Sequence, residues 1–186
     1  PSGASLREIQ KNLNQKQALI EYFFLNDKFF IVVIKKDDHK IFKINNNVQD
    51  LEKGAENLRQ SVVINDQGSL NKFDTFEGYK LYEKLFLPIE NYIKNLTEII
   101  VVPNKFLKNI PLHLLPTNKT EKCIDCSNVQ WLMNKYDFAY VPNAEFFALK
   151  KTKKNLVNIK IKSKKPIFLG IGNPNLEIAK EINTQK

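Results

Sequence analysis

A strand-like run that proline ends abruptly constrains the fold of this chain more than any other feature. Residues 99–102 are Ile-Ile-Val-Val, and Pro103 follows them directly. Because proline donates no backbone hydrogen bond, a strand in the middle of a sheet cannot continue through it. Residues 112–115 form a second, mostly apolar segment with a proline on either side. The chain is therefore predicted to leave a core strand, turn, and return to the core.

The residues between these two segments have predictable roles. Asn104 and Lys105 are expected to form the turn, since asparagine tolerates turn geometry. Pro111 restarts the chain with a fixed φ. The expected anchors are Phe106, Leu107 and Ile110, and the expected apolar face of the returning segment is Leu112, Leu114 and Leu115. We therefore interpret this stretch as scaffold.

The first part of the chain predicts an antiparallel meander. Residues 18–25 and 29–34 are rich in aromatic and β-branched residues, and Asn26-Asp27 between them is a hairpin turn signal. A third, shorter strand is predicted over residues 40–44. The three strands follow one another closely, so each is expected to pair with the next.

One helix is predicted before the meander in the sequence, and another is predicted after it. Residues 5–13 form the first, because Ser5 and Glu8 have the spacing of a capping box. Residues 48–62 form the second, since their apolar side chains recur every three or four positions. This second helix is expected to lie on the meander.

Strands and helices alternate in the rest of the chain, which favours a partly parallel sheet covered by helices. An apolar stripe over residues 73–89 predicts a helix that Pro88 bends or divides near its end. The elements predicted after it are a strand over 98–102, a short helix around 131–132, a strand over 137–141, a helix over 144–150 and a strand over 166–171. The aromatic residues of the stripe are interpreted as core: Phe73, Phe76, Tyr79 and Phe86.

Length and composition fit one globular core. The chain has 186 residues, of which 42% are hydrophobic, and this is enough to bury a core. The sequence contains no signal peptide pattern and no long apolar run. We therefore expect a cytoplasmic location and no membrane partner.

The net charge of +9 raises the question of an anionic partner. Lysines are scattered along the chain, and only residues 150–165 are dense in them. We interpret that stretch as a solvated loop and do not expect nucleic acid as a partner. The alternative function is a binding module that uses this lysine-rich loop for nucleic acid or acidic protein partners.

The two histidines are candidate bases. His113 lies between two leucines and is interpreted as a satisfied, half-buried histidine rather than as a base. His39 follows Asp37-Asp38 in a predicted turn and is interpreted as solvated. The acidic pairs, Asp37-Asp38 and Asp74 with Glu77, are interpreted as turn and helix-start residues.

Cys123 and Cys126 have the spacing of half a zinc site or of a redox pair. A structural zinc site needs about four ligands, and the only other local candidates are His113 and Asp125. A thioredoxin-like motif needs a strand before it and a helix at its first cysteine, which the polar flanks do not favour. The two cysteines are therefore interpreted as unpaired loop residues, and no metal is predicted.

Residues 170–175, Gly-Ile-Gly-Asn-Pro-Asn, contain the first two glycines of a dinucleotide-binding fingerprint. The third glycine is missing, and Pro174 stands where the phosphate-binding helix would begin. No cofactor is predicted.

The order of these motifs resembles the amino-terminal half of a CHAT domain, the caspase-like domain found behind tetratricopeptide repeats. The similar segments are ALIEYFFLNDKFFIVVIK, YKLYEKLFLPIENYI, TEIIVVPNKFLKNIPLHLLP, WLMNKYDFAYVPNAEFFALKK and KKPIFLGIGNPNL. The resemblance covers about residues 5–176, and its most specific pieces are residues 81–88, 102–115 and 140–147.

This resemblance implies a fold and a chemistry. The fold is an α/β, caspase-like mixed sheet that is flanked by helices and preceded by an antiparallel β-meander. The chemistry is peptide-bond cleavage by a cysteine thiolate paired with histidine, which the family places in a His-Gly motif and a Ser-Ala-Cys-like motif on later strands. Neither motif occurs in this chain, so we predict no catalytic residue here.

The expected organisation is a single, incomplete domain over residues 1–186. Residues 1–64 are expected to form a helix, the meander and a second helix. Residues 65–152 are expected to form a helix, a strand and the Pro-Leu-rich core segments. Residues 153–186 are expected to contain the Lys-rich linker, a strand and a truncated end. The expected function is the non-catalytic half of a CHAT-type cysteine peptidase, a scaffold between upstream helical repeats and the protease half. The expected partners are those repeats and, through the full-length protein, a protein substrate or regulator.

Overall fold

The structure is a computed structural model that describes residues 3–25, 28–45, 47–61, 73–119 and 126–152. The chain divides into two compact units, Pro1–Asn155 and Leu156–Lys186. All the described residues lie in the first unit. The predicted turn at Asn26-Asp27, the strand over 166–171 and the glycine motif at 170–175 lie outside the described residues.

A mixed sheet of five strands forms the centre of the described fold. The strands are β1 (Gln17–Leu25), β2 (Lys28–Lys35), β3 (His39–Ile44), β4 (Glu98–Val102) and β5 (Asp137–Tyr140), and their order across the sheet is β3-β2-β1-β4-β5. The first three strands pair antiparallel, whereas β4 runs parallel to both β1 and β5. The predicted α/β class, with a mixed sheet and an amino-terminal meander, is confirmed.

In the described residues, five α-helices pack on this sheet. They are α1 (Leu6–Asn12), α2 (Val48–Ser61), α3 (Thr75–Leu85), α4 (Leu87–Ile93) and α5 (Ala144–Thr152). The predicted capping box begins α1, since the Ser5 side chain accepts the Glu8 N–H and the Glu8 carboxylate accepts the Ser5 N–H. Asp74 caps α3 by accepting the Glu77 N–H at 3.0 Å, as its predicted helix-start role requires.

Pro88 divides the long apolar stripe into two helices, as predicted. It lies in the first turn of α4, where proline is tolerated because the N–H it lacks would have no helical partner. The expectation that the whole aromatic stripe is core is wrong for Phe76, which is 38% exposed. The buried face of α3 passes through Thr75 and Gly78, and Phe76 lies about 100° around the helix from Thr75.

The two faces of the sheet are covered differently. Helices α2, α3 and α4 pack on one face in a large core that includes Ile20, Phe29 and Val101. Helices α1 and α5 pack on the other face, which we call the α1/α5 face. Because successive residues of a strand point to opposite faces, β1 and β2 contribute alternate side chains to the two cores.

The segment after β4 turns at Asn104 and Lys105, as predicted. The Asn104 side chain accepts the Lys105 N–H at 2.7 Å, and Lys105 has a φ of 47°, in the left-handed region. Two 3-10 turns follow, Lys105–Asn109 and Leu112–Leu114. The short helix expected around 131–132 is likewise a 3-10 turn, Leu132–Asn134.

The predicted anchors of this segment reach the core with one exception. The fully or almost fully buried ones are Leu107, Ile110, Leu112 and Leu115, and Phe106 packs on Phe24 with ring centroids 5.6 Å apart. Leu114 was expected in the core but is only half-buried. A 3-10 turn has three residues per turn, so positions three apart share a face and the residue between them turns away.

Candidate functional site

The carboxyl ends of the parallel strands form the candidate site. In β1, β4 and β5 the parallel ladder ends with Glu21 opposite Val102 and with Val101 opposite Tyr140. Open α/β sheets bind ligands in the crevice outside the carboxyl ends of such strands. We therefore call this the carboxyl edge and consider first the polar side chains that lie there.

His113 and Tyr140 form a hydrogen-bonded pair at the carboxyl edge. The Tyr140 hydroxyl oxygen lies 2.9 Å from His113 Nδ1 and accepts the backbone N–H of His113 at 3.2 Å. Phe138, two residues before Tyr140 on the same face of β5, lies against the imidazole with ring centroids 6.2 Å apart. The end of β5 is thus tied to the segment that returns after β4.

Both members of the pair are neutral near pH 7. Burial lowers the pKa of His113 below its usual value of 6.5, and burial raises the pKa of Tyr140. A neutral imidazole has one N–H and one acceptor nitrogen. The hydroxyl accepts the backbone N–H of His113, and its bond to the imidazole occupies Nδ1 in either neutral tautomer.

This arrangement makes His113 a poor general base. Its Nδ1 is already bonded to Tyr140 in either tautomer, and burial lowers its pKa, so the imidazole takes up a proton less readily. No cysteine of the described residues takes part in the pair. Because His113 is half-buried and has a hydrogen-bond partner, the structure fits the interpretation of His113 as a satisfied, half-buried histidine.

The other histidine lies on β3, the edge strand on the opposite side of the sheet from β5. His39 is the first residue of β3 and pairs with Ile34, which in turn pairs with Leu19 near the start of β1. The His39 side chain is exposed, in agreement with its interpretation as solvated. Tyr140 is out of reach of this residue, because β3 and β5 are the two edge strands of the sheet, about 19 Å apart across it.

The interpretation of the cysteines as unpaired is wrong. Cys126 is disulfide-bonded, and no described cysteine is free. The chain contains one other cysteine, Cys123, which lies outside the described residues. A sulfur in a disulfide is neither a thiolate nucleophile nor a metal ligand, so Cys126 in this state cannot pair with a histidine for catalysis.

Metal-binding groups and membrane-spanning helices are both absent from the described parts of the chain. There, no group of three or more His, Cys, Asp or Glu side chains could hold a metal ion, and no helix is long and apolar enough to cross a membrane. The lysine-rich stretch over 150–165 lies largely outside those parts, so its predicted solvation stays a prediction.

Sequence reasoning missed two polar residues at the carboxyl edge. Tyr140 was assigned only to a strand, and its bond to His113 joins residues 27 positions apart, which no local pattern signals. Glu21 could have been noticed, because it is the one charged residue in the sequence of β1. Burial raises the pKa of its carboxyl group, which marks it as a charge in a poorly solvated place.

Comparison with known proteins gives one family. The family model of the CHAT domain matches residues 77–184, a span that includes most of α3, all of α4, β4 and β5, and the His113–Tyr140 pair. A search of curated proteins found no match to the chain. The segments that resemble this family in the sequence, around Pro88, after Val102 and around Tyr140, fall inside the matched span. Because the match covers more than half of the chain, the protein belongs to the CHAT domain family.

Proposed function

We propose that this chain is the non-catalytic half of a CHAT-type caspase-like cysteine peptidase, and that it acts as a scaffold between upstream helical repeats and the protease half. The observation on which this rests is the neutral His113–Tyr140 pair at the carboxyl edge. At the place where an α/β fold positions its chemistry, the described residues offer a structural hydrogen bond instead of an activated nucleophile.

Cysteine peptidases need a thiolate within hydrogen-bond reach of a histidine that can accept a proton. His113 has Nδ1 bonded to a tyrosine, and His39 lies on β3, the edge strand farthest from β5. Cys126 has its sulfur in a disulfide. These three observations support a role in which the nucleophile and its base come from other residues than these.

The scaffold role is supported by how firmly the carboxyl edge is built. The returning segment is anchored by Leu112 and Leu115, both fully buried, and the His113–Tyr140 bond joins it to β5. Rigid elements hold a catalytic group in place better than mobile loops do. A protease half that packed against this edge would meet a preformed surface, and a peptide substrate would then bind to the assembled protein.

The experiment compares this chain with the full reading frame that contains it. Fluorogenic peptide substrates should be cleaved by the full-length protein, and this cleavage should be sensitive to thiol alkylation. The purified chain should show no thiol-dependent cleavage, with or without Cys123→Ser and Cys126→Ser together. In the full-length protein, His113→Gln and Tyr140→Phe should each change kcat by less than about tenfold, because removal of a catalytic base costs about a hundredfold or more.

Two results would overturn the proposal. The first is a thiol-dependent peptidase activity of the purified chain that is lost in the double cysteine variant. The second is a full-length protein in which His113→Gln abolishes cleavage while its unfolding transition is unchanged. Either result would place the catalytic chemistry among the residues that the proposal treats as scaffold.

A further inference from the structure

Part of the α1/α5 face is not covered by any helix of the described residues. Near the start of β1 this face is covered, since Leu19 and Ile100 pack with Ile9 and Leu13 of the α1 region. Towards the end of β1, alternate side chains of β1, β2 and β3 also point to this side of the sheet. Two of them, Leu25 and Ile41, are strongly exposed. We call this area the open face; its residues are Glu21, Phe23, Leu25, Phe30, Val32 and Ile41.

The open face is a continuous surface, because its residues lie in neighbouring register positions. Glu21 is opposite Val32, which is opposite Ile41. In the next row Phe23 is opposite Phe30, and their rings stack with centroids 5.0 Å apart. Among these apolar side chains Ile41 remains 59% exposed, and Leu25 in the row beyond remains 56% exposed. Contiguous apolar surface of this kind marks interaction sites.

The charges on the open face have a definite arrangement. Glu21 is half-buried, burial raises the pKa of its carboxyl group, and no hydrogen bond or charge of a described residue offsets this. Two lysines lie at the margin: Lys43 is opposite Phe30, and Lys28 is opposite Leu25. Both lysines are exposed. A partner that fits this surface has a cation over Glu21 and anions at the opposite margin.

The dimensions of the open face fit one helix. Three neighbouring strands are about 10 Å wide from the first to the third, which is close to the diameter of a helix with its side chains. From Glu21 to Leu25 the face is about 13 Å long, which corresponds to about nine helical residues. The helices α1 and α5 already form a layer on this side of the sheet, and one more helix beside them would continue that layer.

We propose that the open face binds an amphipathic α-helix of a protein partner. The helix places apolar side chains on Phe23, Phe30 and Ile41, and it places one lysine or arginine against Glu21. Its acidic residues lie on the side that meets Lys28 and Lys43. The apolar contacts provide most of the affinity, whereas the buried charge pair selects the partner.

Two synthetic helical peptides test this with the full chain. Each has about 18 residues, enough for a measurable helix, with leucines at helical spacing along one face and glutamates along one margin of that face. The first peptide has a single lysine within the leucine face, and the second has glutamate at that position. Fluorescence anisotropy should show that the lysine peptide binds at least about tenfold more tightly, a difference of about 1.4 kcal/mol.

Variants of the chain locate the binding. Glu21→Gln should reduce the preference between the two peptides to less than about twofold, and Glu21→Lys should reverse it. Ile41→Asp should weaken the binding of the lysine peptide by about tenfold or more. The matched control is Leu87→Asp on α4, because Leu87 is also exposed, at 46%, but belongs to the opposite side of the sheet. This control should bind as the wild type does.

Several outcomes would overturn the proposal. One is a preference for the lysine peptide that survives in Glu21→Gln, and another is failure of both peptides to bind. Analytical ultracentrifugation could also show that the chain self-associates. If Ile41→Asp abolished this self-association and the peptide did not, a second copy of the chain would be the occupant. Peptide binding that improves about tenfold when Ile178 and Ile182 are changed to Asp would make residues 153–186 of the same chain the occupant.

Discussion

The close approach of α3 to Pro116 yields a sharp stability test. Gly78 is buried in α3, and a Cβ atom at this position would lie 2.7 Å from Pro116 Cδ and 3.3 Å from Pro116 Cγ. Pro116 cannot easily move away, because its ring is closed on the backbone and it forms a β-bridge with Trp131. The next residue, Thr117, donates its N–H to the Gln130 carbonyl oxygen at 2.7 Å. We therefore expect Gly78→Ala to strain the packing of α3 on this segment.

Gly54 in α2 provides the matched control. A Cβ atom there would meet only ordinary contacts, the nearest being Leu81 Cδ2 at 3.5 Å. Alanine in a helix interior is favoured over glycine by about 0.5–1 kcal/mol, so Gly54→Ala should stabilise the protein by that amount. Gly78→Ala gains the same helix preference but also overpacks the core, which costs about 1–3 kcal/mol. The free energies of unfolding of the two variants should therefore differ by about 1–3 kcal/mol.

Urea unfolding followed by far-UV circular dichroism measures this difference. The midpoint of Gly54→Ala should move to higher urea than that of the wild type, and the midpoint of Gly78→Ala should move to lower urea or stay near it. The slopes should remain equal, because neither change alters the surface exposed on unfolding. If Gly78→Ala proved as stable as Gly54→Ala, the packing of Gly78 against a fixed Pro116 would be refuted.

Three further predictions concern the carboxyl edge and the charged surface. The folded state disfavours protonation of His113, so stability should fall as the pH drops below about 6.5, and His113→Gln should reduce this loss between about pH 7.5 and pH 5 in urea titrations; an unchanged pH dependence would contradict the burial of His113. Tyr140→Phe removes the bond between Tyr140 and His113 and should lower the free energy of unfolding by about 0.5–1.5 kcal/mol. The control is Tyr136→Phe, at a buried tyrosine for whose hydroxyl no hydrogen bond to a described residue is seen; an equal effect of the two would argue against a special role for the pair. Changing Lys150, Lys151, Lys153 and Lys154 together to Gln should alter stability by less than about 0.5 kcal/mol, because the sequence predicts a solvated stretch here and solvated charges contribute little. Loss of sequence-selective nucleic-acid binding in this variant would favour the alternative of a lysine-rich binding module.

Much of the local structure could be predicted because short-range chemistry determines it. The capping box at Ser5 and Glu8 needs only residues three apart, and the break at Pro88 follows from the missing N–H of proline. The turn at Asn104 is likewise a property of that residue and its neighbour. The errors at Phe76 and Leu114 have a local cause as well, since each depends on which side of one helical turn faces the sheet.

The candidate site could be predicted only in part. The sequence indicated that His113 is not a base, but it did not identify Tyr140 as its partner, because the two residues are brought together by the ladder between β4 and β5. Glu21 was visible as an isolated charge in an apolar strand. That no described side chain pairs with it depends on how α1 and α5 cover the sheet, which is a property of the packed structure.

The amino-acid sequence alone determined the class of the fold, its meander, most of its helices and its resemblance to CHAT domains, since all of these follow from patterns repeated along a few tens of residues. The tertiary structure decided the strand order β3-β2-β1-β4-β5, the pairing of His113 with Tyr140, the close approach of Gly78 to Pro116, and the exposure of the open face. These features join residues that are distant in the chain, and their free energy comes from contacts that exist only after the sheet has formed and both of its faces have packed.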